Sequence, residues 1–169
     1  AGMMHDSSAA YSRLTTMKKS RLAALPYLLE SYHYLKKDKK SCTALKCRGK
    51  TIFLDSGAYS AWTKGVTIDI EEYARFQKEY ADIIHMASVL DSIGDPDQTW
   101  LNQKRLEALG CEVLPCYHYG EPLEVGHYYA ENYPYITLGG MVGRGNGPLE
   151  TWLDEVFTEV ICDSDGYAK

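Results

Sequence analysis

From residue 51 onward, short apolar runs alternate with stretches of helical periodicity. Thr51-Ile52-Phe53-Leu54 breaks at Asp55-Ser56-Gly57, and the run 83–90 breaks at Asp91. Residues 112–116 lead into Tyr117-His118-Tyr119-Gly120, and residues 135–138 lead into Gly139-Gly140. The four starts are 32, 29 and 23 residues apart, the size of a strand–helix unit. Between them lie legible helix starts. Asp69 is placed to cap a helix from Ile70, with Glu72 completing a capping box, and Ile70, Tyr73, Phe76 and Tyr80 fall along one face. Asp95-Pro96-Asp97-Gln98 repeats the signal with proline in the first helical position, and Gly110 offers a left-handed stop. Pro122 opens the next helix. Pro148 opens the last, where Leu149, Trp152, Leu153, Val156, Phe157 and Val160 form one buried stripe before a turn at 162–166.

The first fifty residues carry weaker patterns. Residues 9–25 read as a helix stopped by Pro26, residues 27–33 as a strand, and the basic stretch after them as loop and weak helix. Ala1-Gly2 reads as the stub of an earlier strand. Strands alternating with helices predict a parallel sheet with right-handed crossovers. A doubly wound sheet and a (β/α) barrel compete at this point. Each strand ends in polar or glycine residues, where barrel enzymes carry their chemistry. Neither a GxGxxG fingerprint nor a P-loop occurs, and a doubly wound fold concentrates its signals in such a loop. The expectation is an α/β fold, a partial (β/α)8 barrel of TIM type with about six of the eight units, in one truncated domain over 1–169.

Composition narrows the class. The 169 residues are 45% hydrophobic and 12% aromatic, which excludes long disorder. No apolar run approaches the roughly 18 residues of a membrane helix, and the start does not read as a signal peptide. Five irregularly spaced cysteines argue against a disulfide framework and for a reducing, cytoplasmic setting. Residues 1–50 hold 11 Lys and Arg against 3 Asp and Glu, while residues 51–169 hold 7 against 20. The basic stretch around Lys36 and Lys37 is either a phosphate contact or a solvated loop.

The strand ends hold the candidate chemistry. Asp55 suits acid/base or nucleophilic work, or else organises its own turn. Asp91 occupies the equivalent place one unit later, and two such carboxylates can share a site with separate roles. Its alternative role is to organise the turn before Asp95-Pro96. His118, between Tyr117 and Tyr119, is either a ligand for a planar group or structural. Gly139-Gly140 lets backbone groups approach a ligand closely. Arg144, in Gly143-Arg144-Gly145, either meets a phosphate or lies in a linker. Cys42 and Cys47 form a C-x4-C pair without the partners a zinc site requires. Trp62, Trp100 and Trp152 read as packing residues, and Ser56 lacks a nucleophile-elbow pattern.

These motifs resemble a known family. Leu54-Asp55-Ser56-Gly57-Ala58-Tyr59-Ser60 resembles the Asp-Ser-Gly-Gly-Phe-Gln signature of tRNA-guanine transglycosylases (queuine tRNA-ribosyltransferases). Thr137-Leu138-Gly139-Gly140-Met141-Val142-Gly143 is similar to their Leu-Gly-Gly-Leu substrate loop. Phage and environmental relatives add matches to Leu90-Asp91, Ile93-Gly94-Asp95-Pro96, Thr99-Trp100, Asn102-Gln103, His118-Tyr119-Gly120-Glu121 and Tyr133-Pro134-Tyr135-Ile136. The similarity spans residues 27–157.

The resemblance implies a (β/α)8 barrel and exchange of guanine for a 7-deazaguanine, as in queuosine formation, in tRNA or DNA. It assigns proton transfer to Asp55 and reading of the purine edge to Asp91. Ser56, Gly57, Tyr117, His118, Gly139, Gly140 and Met141 would complete the substrate site, with Arg144, Lys36 and Lys37 toward phosphates. His118 stands near a recognising Gln of the family, and Ala58 replaces a motif glycine. The family's nucleophilic Asp and its zinc site would lie beyond Lys169, so this fragment is expected to be inactive and to hold no cofactor. Two other classes remain open: a non-catalytic nucleobase- or nucleotide-binding module, and a small-sugar glycoside hydrolase using Asp55 and Asp91. Open barrel edges predict a homodimer or higher oligomer.

Overall fold

Strands β1 (Tyr27–Ser31), β2 (Thr51–Asp55), β3 (Ile84–Ser88) and β4 (Val113–Leu114) pair side by side, all parallel, in chain order. This is a computed structural model, and it describes residues 24–168. The strand stub expected at Ala1-Gly2 and residues 9–23 of the first expected helix lie outside them. A second parallel pair joins β5 (Cys116–His118) to β6 (Thr137–Gly139). The fold is therefore α/β, with a four-stranded parallel sheet alternating with helices.

The run 112–116 and the residues it leads into form β4 and β5 rather than one strand, and Pro115 is the reason. Proline has no N–H to give to a ladder. Its carbonyl still accepts from the Thr137 backbone N–H and hydroxyl, each at 2.9 Å. The chain thus leaves β3 as a partner and takes up β6.

Seven α-helices lie between and after these strands: α1 (Tyr32–Leu35), α2 (Lys39–Cys47), α3 (Ala58–Thr63), α4 (Ile70–Glu79), α5 (Pro96–Ala108), α6 (Leu123–Asn132) and α7 (Asn146–Glu155). Asp69 and Asp95 cap α4 and α5 as expected, accepting from Glu72 N and Gln98 N at 2.8 and 2.9 Å. The Gln98 side chain donates to Asn102 instead of closing the box. Gly110 ends α5 in a Schellman turn: its N–H reaches Glu107 O, and Cys111 N reaches Leu106 O.

Three local expectations change. The strand expected over 27–33 gives way to helix at Tyr32. The weak helix of the basic stretch is the regular α2, because Asp38 accepts from both Ser41 N and Ser41 Oγ. The stripe of the last helix breaks at Phe157, which is exposed although Val156 and Val160 are buried. There α7 continues as a π-helical segment, Val156–Ile161, whose buried residues are Val156 and Val160.

Two apolar clusters hold the elements. One places Tyr32, Leu54, Tyr73, Val89, Leu106 and Val113 between the four-stranded sheet and its helices. The other gathers Tyr117, Tyr129, Trp152, Val156 and Val160 beneath β5 and β6. No helix among the described residues is long and apolar enough to cross a membrane.

Candidate functional site

Parallel pairing brings the carboxyl ends of neighbouring strands together. Ser31 stands in register with Asp55, and His118 with Gly139. Asp55 ends β2, and its Oδ2 accepts the Gly57 N–H at 2.9 Å, the bond a turn aspartate makes. Burial raises its carboxyl above the ordinary aspartate range; the Gly57 amide opposes this, and the charge of Asp91 adds to it. Ser56 is buried, with its N–H on Ser88 Oγ at 3.0 Å. Gly57 has φ 73°, and a Cβ there would collide with Ser31 Oγ and His33 Cβ. Ser56 and Gly57 thus build the turn that holds Asp55.

Asp91 lies three residues past β3, and its two neighbours are fixed from α5. Asn102 Nδ2 donates to Leu90 O at 2.7 Å, and Ser92 N donates to Thr99 Oγ1 at 2.8 Å. The turn before Pro96 closes through Asp95 N on Ser92 O. Asp91 Oδ1 takes no part in that turn. It is buried, accepts no hydrogen bond from the described residues, and stands 3.5 Å from His118 Nε2. Asp91 also lines an open cleft of about 550 Å³ whose walls include Trp62, Ile68, Ile70, Leu90 and Asn102.

His118 is held from its other side. Glu121 Oε2 accepts the His118 backbone N–H at 2.5 Å and lies 3.0 Å from Nδ1. A carboxylate only accepts, so Nδ1 carries a hydrogen and Nε2 is the atom turned to Asp91. Burial alone would lower the pKa of this imidazole. Asp91, Cys116 and Glu121 outweigh it and hold the ring well above the ordinary histidine value. Cys116, two residues earlier on the same strand face, is buried, and burial pushes its thiol up. Gly139 completes the wall: a Cβ there would collide with Cys116 Sγ and crowd His118 Cδ2.

The expected residues therefore fall into groups. Asp91, His118, Gly139 and Gly140 come together, and Gly140 sits against Tyr119 and His118 Cβ. Asp55, Ser56 and Gly57 occupy the next strand end, linked through Ser88. Tyr117 points to the opposite face, fully buried with its ring on Trp152, and so supports the site from the core. Met141 is half-buried and packs on the same cluster. Arg144 lies over the Tyr119 ring at 4.7 Å, and Lys36 over Tyr32 at 5.2 Å; Lys37 is exposed just after α1. Trp62 is exposed rather than packed, whereas Trp152 is buried.

No protein-family model matches this chain. No curated protein or solved structure gives a significant match either. The site is read from its own chemistry. It offers two carboxylates of unlike environment, an imidazole held between Asp91 and Glu121, and a glycine pair packed against Cys116 and His118. Cys116 carries no candidate role in the sequence, and Glu121 enters there only as the end of the His118-Tyr119-Gly120-Glu121 stretch. Their signals are the Cys-x-His spacing on one strand face and a Glu three residues past His118.

Proposed function

We propose that this chain is a transglycosylase-like protein that recognises guanine or a 7-deazaguanine in tRNA or DNA at these strand ends. The observation that carries the reading is Asp91 facing His118 at 3.5 Å beside the cleft, next to the side-chain-free Gly139-Gly140. A carboxylate there accepts from the N1–H and amino group of a guanine edge. A charged imidazole donates to its O6. Gly139 and Gly140 leave room for the Cys116 and His118 side chains that wall the site. Asp55, with its pKa raised by burial, suits transfer of a proton to or from the departing base.

A partial (β/α)8 barrel is the architecture that goes with this reading. Each strand pairing joins neighbours in chain order, all parallel, as in a barrel, and the candidate chemistry lies at the strands' carboxyl ends. Binding of guanine, a 7-deazaguanine, adenine and a simple glycoside, measured by calorimetry in the presence of a chelator, tests the proposal. Guanine-type bases are expected to bind, and adenine, whose edge has the opposite donor pattern, is not. Asp91→Ala is expected to abolish binding, because the purine edge loses its charged acceptor. Undiminished guanine binding by that variant, or binding of the glycoside alone, would overturn the assignment.

A further inference from the structure

We propose that Asp91, Cys116 and His118 form a three-ligand site for a divalent transition-metal ion of the zinc type. Cys116 and His118 are two apart on β5 and so project to one side of the strand. Asp91 meets them from the loop after β3. One donor atom from each residue, a thiol sulfur, an imidazole nitrogen and a carboxylate oxygen, lies within 4.8 Å of the other two.

Three observations point to a ligand rather than to packing. First, Asp91 Oδ1 is buried and accepts no hydrogen bond from the described residues, a costly state for a carboxylate oxygen. Second, its 3.5 Å separation from His118 Nε2 is too long for a good hydrogen bond. Ligands about 2.0–2.3 Å from a tetrahedral ion stand roughly 3.3–3.8 Å apart, and the observed spacing is one edge of that figure. Third, Glu121 holds Nδ1 at 3.0 Å and leaves Nε2 toward the other donors. A carboxylate behind a ligating histidine is the usual outer partner of a zinc site.

The donor set selects the metal. A thiolate with an imidazole favours zinc or cobalt over magnesium or calcium, which prefer oxygen ligands throughout. Three protein ligands leave one position for water, as in open zinc sites. On binding, the Cys116 thiol proton and any proton on His118 Nε2 pass to solvent. The inference stands apart from base recognition, although an ion and a guanine would compete for Asp91 and His118.

The test is titration of the chelator-treated, dialysed 169-residue protein with Co²⁺ and then Zn²⁺, without any base. One Co²⁺ per chain is expected, with a thiolate-to-cobalt absorption band in the near ultraviolet that Zn²⁺ removes. Cys116→Val removes the sulfur while keeping the position apolar and should lose the band. Glu121→Gln should weaken binding about 10–100-fold. Circular dichroism verifies that each variant is folded. A wild-type chain without the band, or a band that survives in Cys116→Val, would overturn the site whatever the outcome of the base titration.

Discussion

Asn102 Nδ2 donates to the carbonyl of Leu90 at 2.7 Å, and Leu90 is the residue before Asp91. Helix α5 therefore sets the position of a site residue it does not itself provide. Asn102→Ala is expected to weaken guanine binding at least several-fold, whereas Asp95→Ala, which removes the cap of the same helix, should cost about 1 kcal/mol of stability and leave binding intact. Calorimetry combined with urea unfolding separates the two effects. Equal losses of binding in both variants would mean that α5 acts only through overall stability.

Tyr73 ties the sheet to α4 in a similar way. Its hydroxyl donates to Ser88 O at 2.8 Å from a fully buried ring, and burial keeps it protonated far above neutral pH. Tyr73→Phe removes a donor carried by a fully buried ring, at a cost of about 1–3 kcal/mol. Unfolding free energies would show this, and a neutral substitution would mean that the Ser88 carbonyl has another donor.

Asp55 gives a pH dependence of known sign. Its folded pKa lies above the unfolded one, so the folded chain holds that proton more tightly. The group favours folding fully below the ordinary aspartate pKa of about 3.9. That contribution is lost as pH rises through the raised folded value. Asp55→Asn should therefore be more stable than wild type at neutral pH, with the difference fading as the pH falls toward about 4. Denaturation curves with chelator present, at several pH values, decide this. A variant destabilised equally at all of them would contradict the assignment.

Gly57 and Gly49 share a left-handed backbone, with φ 73° and 60°, but differ in surroundings. Among the described residues an added Cβ meets nothing within 4 Å at Gly49, yet collides with Ser31 and His33 at Gly57. Gly49→Ala should cost about 1–2 kcal/mol through backbone strain. Gly57→Ala should add about 1–3 kcal/mol of overpacking. Thermal unfolding of the pair would measure the gap, and equal losses would show that the turn relaxes freely.

Much of the architecture was legible from local chemistry. Asp69 and Asp95 announced α4 and α5 because a short acceptor before a helix satisfies free N–H groups in any context. The apolar runs at 51–54 and 83–90 marked two neighbouring strands of the parallel sheet, the second with His85 exposed. Their polar termini marked the end of the sheet where side chains gather. Where local rules failed they met a wider constraint: Pro115 moved one strand's partner, and Phe157 faces solvent although Val156 beside it is buried.

The partnerships within the site were decided only by tertiary structure. Nothing in the order of residues says that Asp91 leaves its own turn to face His118, because Thr99 and Asn102 hold the chain on either side of it from another element. The same holds for Cys116, an ordinary buried thiol by composition. It becomes a donor beside Asp91 because β5 pairs with β6 and Gly139 has no side chain to keep the strands apart. Periodicity and capping are properties of neighbours in the chain and can be read from it. The meeting of a carboxylate, a thiol and an imidazole across 27 residues, from Asp91 to His118, depends on packing and register.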